Sequence, residues 1–87
     1  PADKVSQKDY DYLRGVLEEV LETDQEPRLT GAPWPEILKQ DSINLEIVVT
    51  ILEEYGWIDS SKIGSKAASG IFFVIQHADL EYQEKYY

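Results

Sequence analysis

The stretch from Glu36 to Tyr55 contains no glycine or proline, and it constrains the fold of this 87-residue chain more than any other feature. Pro35 can occupy the first turn of a helix, and Gly56 can end that helix in a left-handed conformation. Apolar residues recur through the stretch at the three- and four-residue spacing of a helical face. The sequence therefore predicts a long helix over roughly 35–55.

Two further segments have the same helical pattern. The first, roughly 7–23, follows a capping box of Ser6 and Asp9. We expect Pro27 and the residues before it to end this helix, because proline lacks an amide proton and restricts the residue that precedes it. The second segment, 66 to about 78, is apolar or small nearly all round, which is typical of a central helix. Its β-branched and aromatic centre alone would suit a buried strand, but the residues on either side favour the helix.

Short elements complete the predicted architecture. The segment 59–64 favours one brief turn, and Asp79 can cap a final turn near the end of the chain. Trp34 and Trp57 flank the long helix, where indole rings commonly plug the ends of a bundle. The sequence contains no internal repeat and no pair of strand patterns joined by a hairpin turn. The predicted fold class is therefore all-α, a small orthogonal helical bundle of three main helices plus short connecting and terminal turns.

Composition limits both the number of domains and the classes of function. Residues 1–87 make a single domain at most. The chain has no cysteine and one histidine, which excludes disulfides, thiolate nucleophiles and a zinc site built from cysteine and histidine. A net charge of −9 argues against nucleic acid and anionic membranes as partners. We expect a soluble protein that is cytoplasmic by default, with export after removal of a signal left open.

Polar residues at positions where apolar ones are expected are the main candidates for function. Asp41 and Asn44 fall on the apolar stripe of the long helix, and Arg28 is the simplest partner for a carboxylate there. His77 lies at the end of the central helix, where it could serve as a general acid or base. We therefore predict a polar cluster that forms a small-molecule pocket or an active site. The candidate catalytic residues are His77 and Asp41, and the candidate ligand-binding residues are Asp24, Gln25, Arg28, Asn44, Gln76 and Asp79.

Other interpretations of the same residues stay open. Arg28, Asp41 and Asn44 could form a buried polar network that ties the helices together without any ligand, and His77 could be a hydrogen-bonded core residue. A different class of function is a non-enzymatic acidic module for protein–protein interaction, since the charge and the tyrosines near the end of the chain would suit a basic partner. No metal and no cofactor are predicted, and enzymatic activity is left open.

Six short motifs occur in order between residues 24 and 83. They are Asp24-Gln25 with Arg28, Asp41 with Asn44, Tyr55-Gly56-Trp57, Ile63-Gly64, Gln76-His77-Ala78-Asp79, and Gln83. Together they resemble an uncharacterised bacterial domain-of-unknown-function family with the motifs D-Q-x-x-R, D-x-x-N, Y-G-W-P, V-G and Q-H-A-D followed by Gln. The chain departs from this pattern where Ile58 replaces the turn proline and Ile63 replaces the valine. The resemblance implies a shared polar pocket without naming its ligand. It also implies truncation at the C-terminus, because the family continues into a tyrosine-rich segment.

Overall fold

The computed structural model describes residues 6–78 and 80–86. The five helices in this part of the chain are α1 Gln7–Thr30, α2 Trp34–Tyr55, α3 Ser60–Ile63, α4 Ser65–Gln76 and α5 Leu80–Tyr86. No strand occurs among the described residues, so the all-α prediction is confirmed. None of these helices combines the length and the apolar character that crossing a bilayer requires.

α1 begins where the sequence predicted but extends to Thr30 rather than ending near residue 23. At its start the Ser6 hydroxyl accepts a hydrogen bond from the Asp9 amide at 3.2 Å, and the Asp9 carboxylate accepts one from the Ser6 amide at 3.4 Å. The predicted capping box is therefore present. Pro27 lies inside the helix, so the expectation that it ends the helix is wrong.

The last turn of α1 explains why Pro27 is tolerated. A proline removes one backbone hydrogen bond, here the bond to the carbonyl of Thr23, four residues earlier. The carbonyl of Pro27 in turn accepts from the amide of Gly31, whose left-handed conformation (φ 74°) closes the helix. The helical path also places Arg28 one turn after Asp24, where its guanidinium donates to the Asp24 carbonyl oxygen at 2.8 Å. Side-chain contacts thus hold the turn that proline weakens.

The other helices follow the sequence more closely. α2 starts within one residue of its prediction, and Gly56 follows its end with φ 74°. α3 is the predicted brief turn, and the Asp59 carboxylate caps it by accepting from the Ser61 amide at 3.4 Å. α4 ends at Gln76, slightly earlier than expected. Asp79, the predicted cap of the final turn, lies outside the described residues.

The two tryptophans do not plug the ends of the bundle. Trp34 and Trp57 are both exposed, so this prediction is wrong. Their places are taken by aliphatic side chains, with Ile37 buried near the start of α2 and Ile58 buried just after its end. Tryptophan is large and carries a donor group that must be satisfied when buried, whereas isoleucine needs only apolar contact.

The core lies where α1, α2 and α4 pack together, and the most extensive of these contacts joins α1 to α4. Leu17, Ile71 and Ile75 are completely buried there. Gly70 brings the two backbones together, since a Cβ atom at this position would lie 2.5 Å from the carbonyl oxygen of Leu17. This close approach fixes how the end of α4 faces the last turns of α1, where most of the predicted functional residues lie.

Candidate functional site

Four ionisable side chains meet where the last turns of α1, the first half of α2 and the end of α4 converge. Asp24 and Arg28 lie one turn apart on α1, Asp41 lies on α2, and His77 directly follows α4. We call these four residues the polar cluster. Asp24 and His77 are 53 residues apart in the chain, so they meet only because α4 packs against α1.

Asp24 is the centre of the polar cluster. Its side chain is only 1% exposed, and a buried carboxylate is strongly unfavourable without partners. It accepts hydrogen bonds from Gln25 Nε2 at 2.6 Å and from His77 Nδ1 at 3.1 Å, and Arg28 Nη1 lies at 3.5 Å. Because an ionised carboxylate can only accept, the arrangement requires the proton of this hydrogen bond to be on Nδ1 of His77.

The ring of His77 is held on a second side by Phe73, whose ring centroid lies 6.5 Å away with an interplanar angle of 23°. Among the described residues, the hydrogen bond of the imidazole uses Nδ1 alone. In a neutral imidazole with its proton on Nδ1, Nε2 carries a free lone pair and accepts hydrogen bonds. His77 is thus oriented by Asp24, and the neutral form of its ring has one acceptor for a ligand.

Arg28 joins the two carboxylates of the polar cluster. Its guanidinium donates to Asp41 through both terminal nitrogens, at 3.0 Å and 2.7 Å, which is the bidentate geometry that makes such pairs strong. The hydrogen bonds to Asp41 raise the pKa of Arg28 above its ordinary value, and the charges of Asp41 and Asp24 act in the same direction against the opposing effect of burial. The pairing of Arg28 with Asp41 that the sequence suggested is therefore present.

A metal ion is the first ligand to test against this geometry. Asp24, Asp41 and His77 each offer one ligand atom, and these atoms lie within 4.8 Å of one another. However, Nη1 of Arg28 lies 3.5 Å from Asp24 Oδ1 and 3.0 Å from Asp41 Oδ1. The guanidinium therefore already supplies the positive charge between the two carboxylates, and a metal ion would have to displace it. These residues fit a metal poorly while Arg28 is in place.

A cavity of about 340 Å³ lies beside the polar cluster, between α1, α2 and α4. Its lining residues are Asp24, Leu38, Asp41, Ser42, Leu45, Val74, His77 and Ala78. The lining thus combines apolar side chains with two carboxylates and the imidazole, and on α2 Leu38 and Leu45 flank Asp41 on the same helix face. The hydroxyl of Ser42 donates to the Leu38 carbonyl at 3.1 Å, so its oxygen faces new partners as an acceptor. The polar part of the lining therefore presents acceptors to a ligand.

Asn44 was expected in the same cluster but lies on another side of α2. Its side chain is 1% exposed, and its Oδ1 accepts from Thr23 at 3.2 Å and from Gln40 at 3.0 Å. Its Nδ2 has no hydrogen-bond partner in the described part of the chain. The residue lines a separate cavity between α1 and α2, away from His77. The role of Asn44 in ligand binding stays a prediction.

The remaining candidate ligand-binding residues are Gln25, Gln76 and Asp79. Gln25 contacts the cluster through Asp24 but does not line the cavity. Gln76 is exposed, and its backbone carbonyl accepts from Gln83 Nε2 at 3.0 Å, so that α5 is tied to the end of α4. Asp79 lies outside the described residues, and its predicted role is therefore untested.

The apolar part of the cavity lining was not singled out from the sequence. Leu38 and Leu45 lie three residues before and four residues after Asp41, and Val74 lies three residues before His77. Side chains at these spacings share a helix face. All three could therefore have been predicted as lining residues, because each lies about one helical turn from a polar residue of the site.

The chain matches no protein-family model, no curated protein and no solved structure. Its function must therefore be argued from the geometry of the polar cluster and the cavity beside it.

Proposed function

We propose that the protein binds a small ligand in the cavity beside the polar cluster, and that His77 is the proton acceptor of this site. The observation that carries the proposal is the hydrogen bond from His77 Nδ1 to the buried carboxylate of Asp24. Burial and three donors leave this carboxylate little freedom to move, and it thereby fixes both the orientation and the tautomer of the imidazole.

The chemistry of the ligand follows from the cavity lining. Asp41, Ser42 and His77 present acceptor atoms, and the polar cluster contains two carboxylates against one guanidinium. Leu38, Leu45 and Val74 supply the apolar part of the lining. This combination suits a small organic molecule that carries a cationic or hydrogen-bond-donating group at one end and an apolar group at the other. We therefore propose a small organic amine as the ligand class.

The arrangement also supports a chemical step. A bound N–H or O–H group that contacts Nε2 of His77 could transfer its proton to the imidazole, and Asp24 would stabilise the imidazolium that forms. Asp41 would hold Arg28 in place and contribute negative charge beside the ligand. The candidate catalytic residues of the sequence, His77 and Asp41, keep these roles as predictions.

Small probes can test binding without knowledge of the natural ligand. We suggest titrating the isotope-labelled protein with primary alkylamines from ethylamine to hexylamine, and with the carboxylates of matching length. The amines are expected to shift the amide resonances of Leu38, Ser42 and Val74, with longer chains binding more tightly, while the carboxylates leave them unchanged. His77→Gln is expected to weaken amine binding by about tenfold, the equivalent of one charge-assisted hydrogen bond.

Gln76→Ala is the matched control, because Gln76 precedes His77 and its exposed side chain does not line the cavity. Equal amine affinities in the wild type, His77→Gln and Gln76→Ala would contradict the proposal. That result would favour the alternative in which the polar cluster is a structural network without a ligand.

The proposal treats residues 1–87 as one domain whose three main helices form an orthogonal bundle, and both statements stay predictions. Membership of the domain-of-unknown-function family also stays a prediction. The polar signature that the resemblance implies agrees in part with the cluster, because three of its motifs supply Asp24, Arg28, Asp41 and His77.

A further inference from the structure

A second surface of the molecule is unrelated to the polar cluster. Two cavities of about 410 Å³ and 230 Å³ are lined only by residues of α1 and α2. They share Val16, Ile43 and Ile47, so they form one continuous depression, which we call the α1–α2 groove. α4 packs against the same two helices, but none of its residues lines the groove.

The floor of the α1–α2 groove is apolar and open. Leu13 and Ile51 lie at its base, where they belong to the core. Ile43 lines both cavities and is 45% exposed, and Tyr12 at one end is more exposed still. Adjoining exposed apolar side chains of this kind mark surfaces that bind another molecule.

The rim of the groove is acidic. Glu19, Glu46 and Glu54 line it, and no lysine or arginine is found among its lining residues in the described chain. At one end the pKa of Tyr55 is raised by partial burial first, and then by the charges of Glu54 and Asp9. The whole chain has a net charge of −9. A partner in the groove must therefore combine apolar groups with positive charge.

The length of the groove defines the shape of that partner. Its lining on α1 extends from Tyr12 to Thr23, eleven residues apart, which corresponds to about 17 Å along the helix axis. This distance equals about three turns of a helix laid against the α1–α2 pair. A second copy of this chain would place the same acidic rim against this one, and like charges would then repel.

We propose that the α1–α2 groove docks an amphipathic helix of a partner protein, whose apolar stripe is flanked by lysine or arginine. The apolar stripe would cover Val16, Ile43 and Ile47, and the basic side chains would reach Glu19, Glu46 and Glu54. In this mode of recognition, apolar side chains at helical spacing anchor the partner helix in the groove. The charges at the rim then determine the orientation of that helix.

A model peptide tests this proposal directly. The probe is a fluorescein-labelled helical peptide of about four turns, with leucine on one face and lysine on the other, and the reference is the same peptide with glutamate in place of lysine. The lysine peptide is expected to bind and to shift amide resonances along the groove, and the glutamate peptide is not. Affinity should fall as salt is added, because exposed charges are screened.

Two variants make the test specific to the groove. Ile43→Lys should weaken binding of the lysine peptide by about tenfold or more, because it removes an apolar anchor and adds a like charge. Leu29→Lys is the matched control, since Leu29 is highly exposed and does not line the groove, and it should leave the affinity unchanged. Circular dichroism of both variants checks that they remain folded.

Three results would overturn the proposal. The glutamate peptide could bind as tightly as the lysine peptide, or Ile43→Lys could bind the lysine peptide as tightly as the wild type. The free protein could also sediment as a dimer that Ile43→Lys dissociates, which would assign the groove to a second copy. His77→Gln should not change peptide affinity, so this test is independent of the proposed ligand site.

Discussion

α4 contacts α1 in two different ways. At Gly70 the helices lie so close that a Cβ atom would come within 2.5 Å of the Leu17 carbonyl oxygen. Two turns later they are joined by the hydrogen bond between His77 and Asp24. The first contact leaves no room for an added atom. The second adjoins a cavity of about 340 Å³. Close apolar packing fixes the distance between the helices, and polar side chains then meet across a gap of fixed width.

Removal of the buried carboxylate should have the largest effect at the polar contact. Asp24→Ala leaves His77 and Gln25 without their common partner and leaves Arg28 with one carboxylate. We expect a loss of about 3 kcal/mol in the free energy of unfolding, at the lower end of what breaking a buried ion pair costs. Urea denaturation measures this loss. Glu26→Ala is the control, because Glu26 is exposed and only two residues away.

The apolar contact should be nearly as sensitive to the addition of a single methyl group. Gly70→Ala forces the α1 and α4 backbones apart and should cost about 2 kcal/mol, as is typical of overpacking. Gly15→Ala is the matched control in the neighbouring helix. It has open space around the new Cβ, and it should stabilise the protein by about 0.5–1 kcal/mol through helix propensity. Equal effects of the two changes would mean that the close approach is absent.

A smaller loss is expected at the partly exposed side of the polar cluster. Asp41→Ala removes the bidentate partner of Arg28, whose guanidinium still lies near Asp24 and retains some contact with water. We expect a loss of about 1–2 kcal/mol, within the range for an unsatisfied buried polar group. A urea midpoint equal to that of Glu26→Ala would show that the Arg28–Asp41 pair contributes nothing to stability.

The smallest expected effect lies outside both contacts, on α5. Hydrogen bonds from Lys85 and then Tyr86 to Glu53 hold the pKa of Glu53 below its ordinary value. A lowered folded-state pKa gives a stabilisation that is present above the unfolded-state pKa and is lost as pH falls through the folded-state pKa. The protection factors of the α5 amides, which are corrected for the intrinsic exchange rate at each pH, should therefore fall in acid, and Glu53→Gln should remove that pH dependence. An unchanged profile in Glu53→Gln would assign the acid sensitivity to other groups.

The sequence was sufficient for the fold class and for most helix boundaries, because apolar spacing and glycine or proline positions determine both locally. It failed at Pro27, since the contacts that stabilise the turn around this residue come partly from α2. It did not indicate that Asn44 lies apart from Asp41 and His77, because two polar residues three positions apart on α2 can still face different neighbours. The predicted pocket contained both Asp24 and His77, but nothing in the local pattern indicates the hydrogen bond between them.

The separation of 53 residues between Asp24 and His77 also has a kinetic consequence. Contacts between distant parts of a chain form only after a large loop has closed, and closing that loop costs entropy before the contact stabilises anything. We expect the hydrogen bond between these residues to form after the rate-limiting step of folding. Its loss in Asp24→Ala would then appear mainly as faster unfolding, with a nearly unchanged refolding rate. The polar cluster would thus lengthen the lifetime of the native state without helping the chain to reach it.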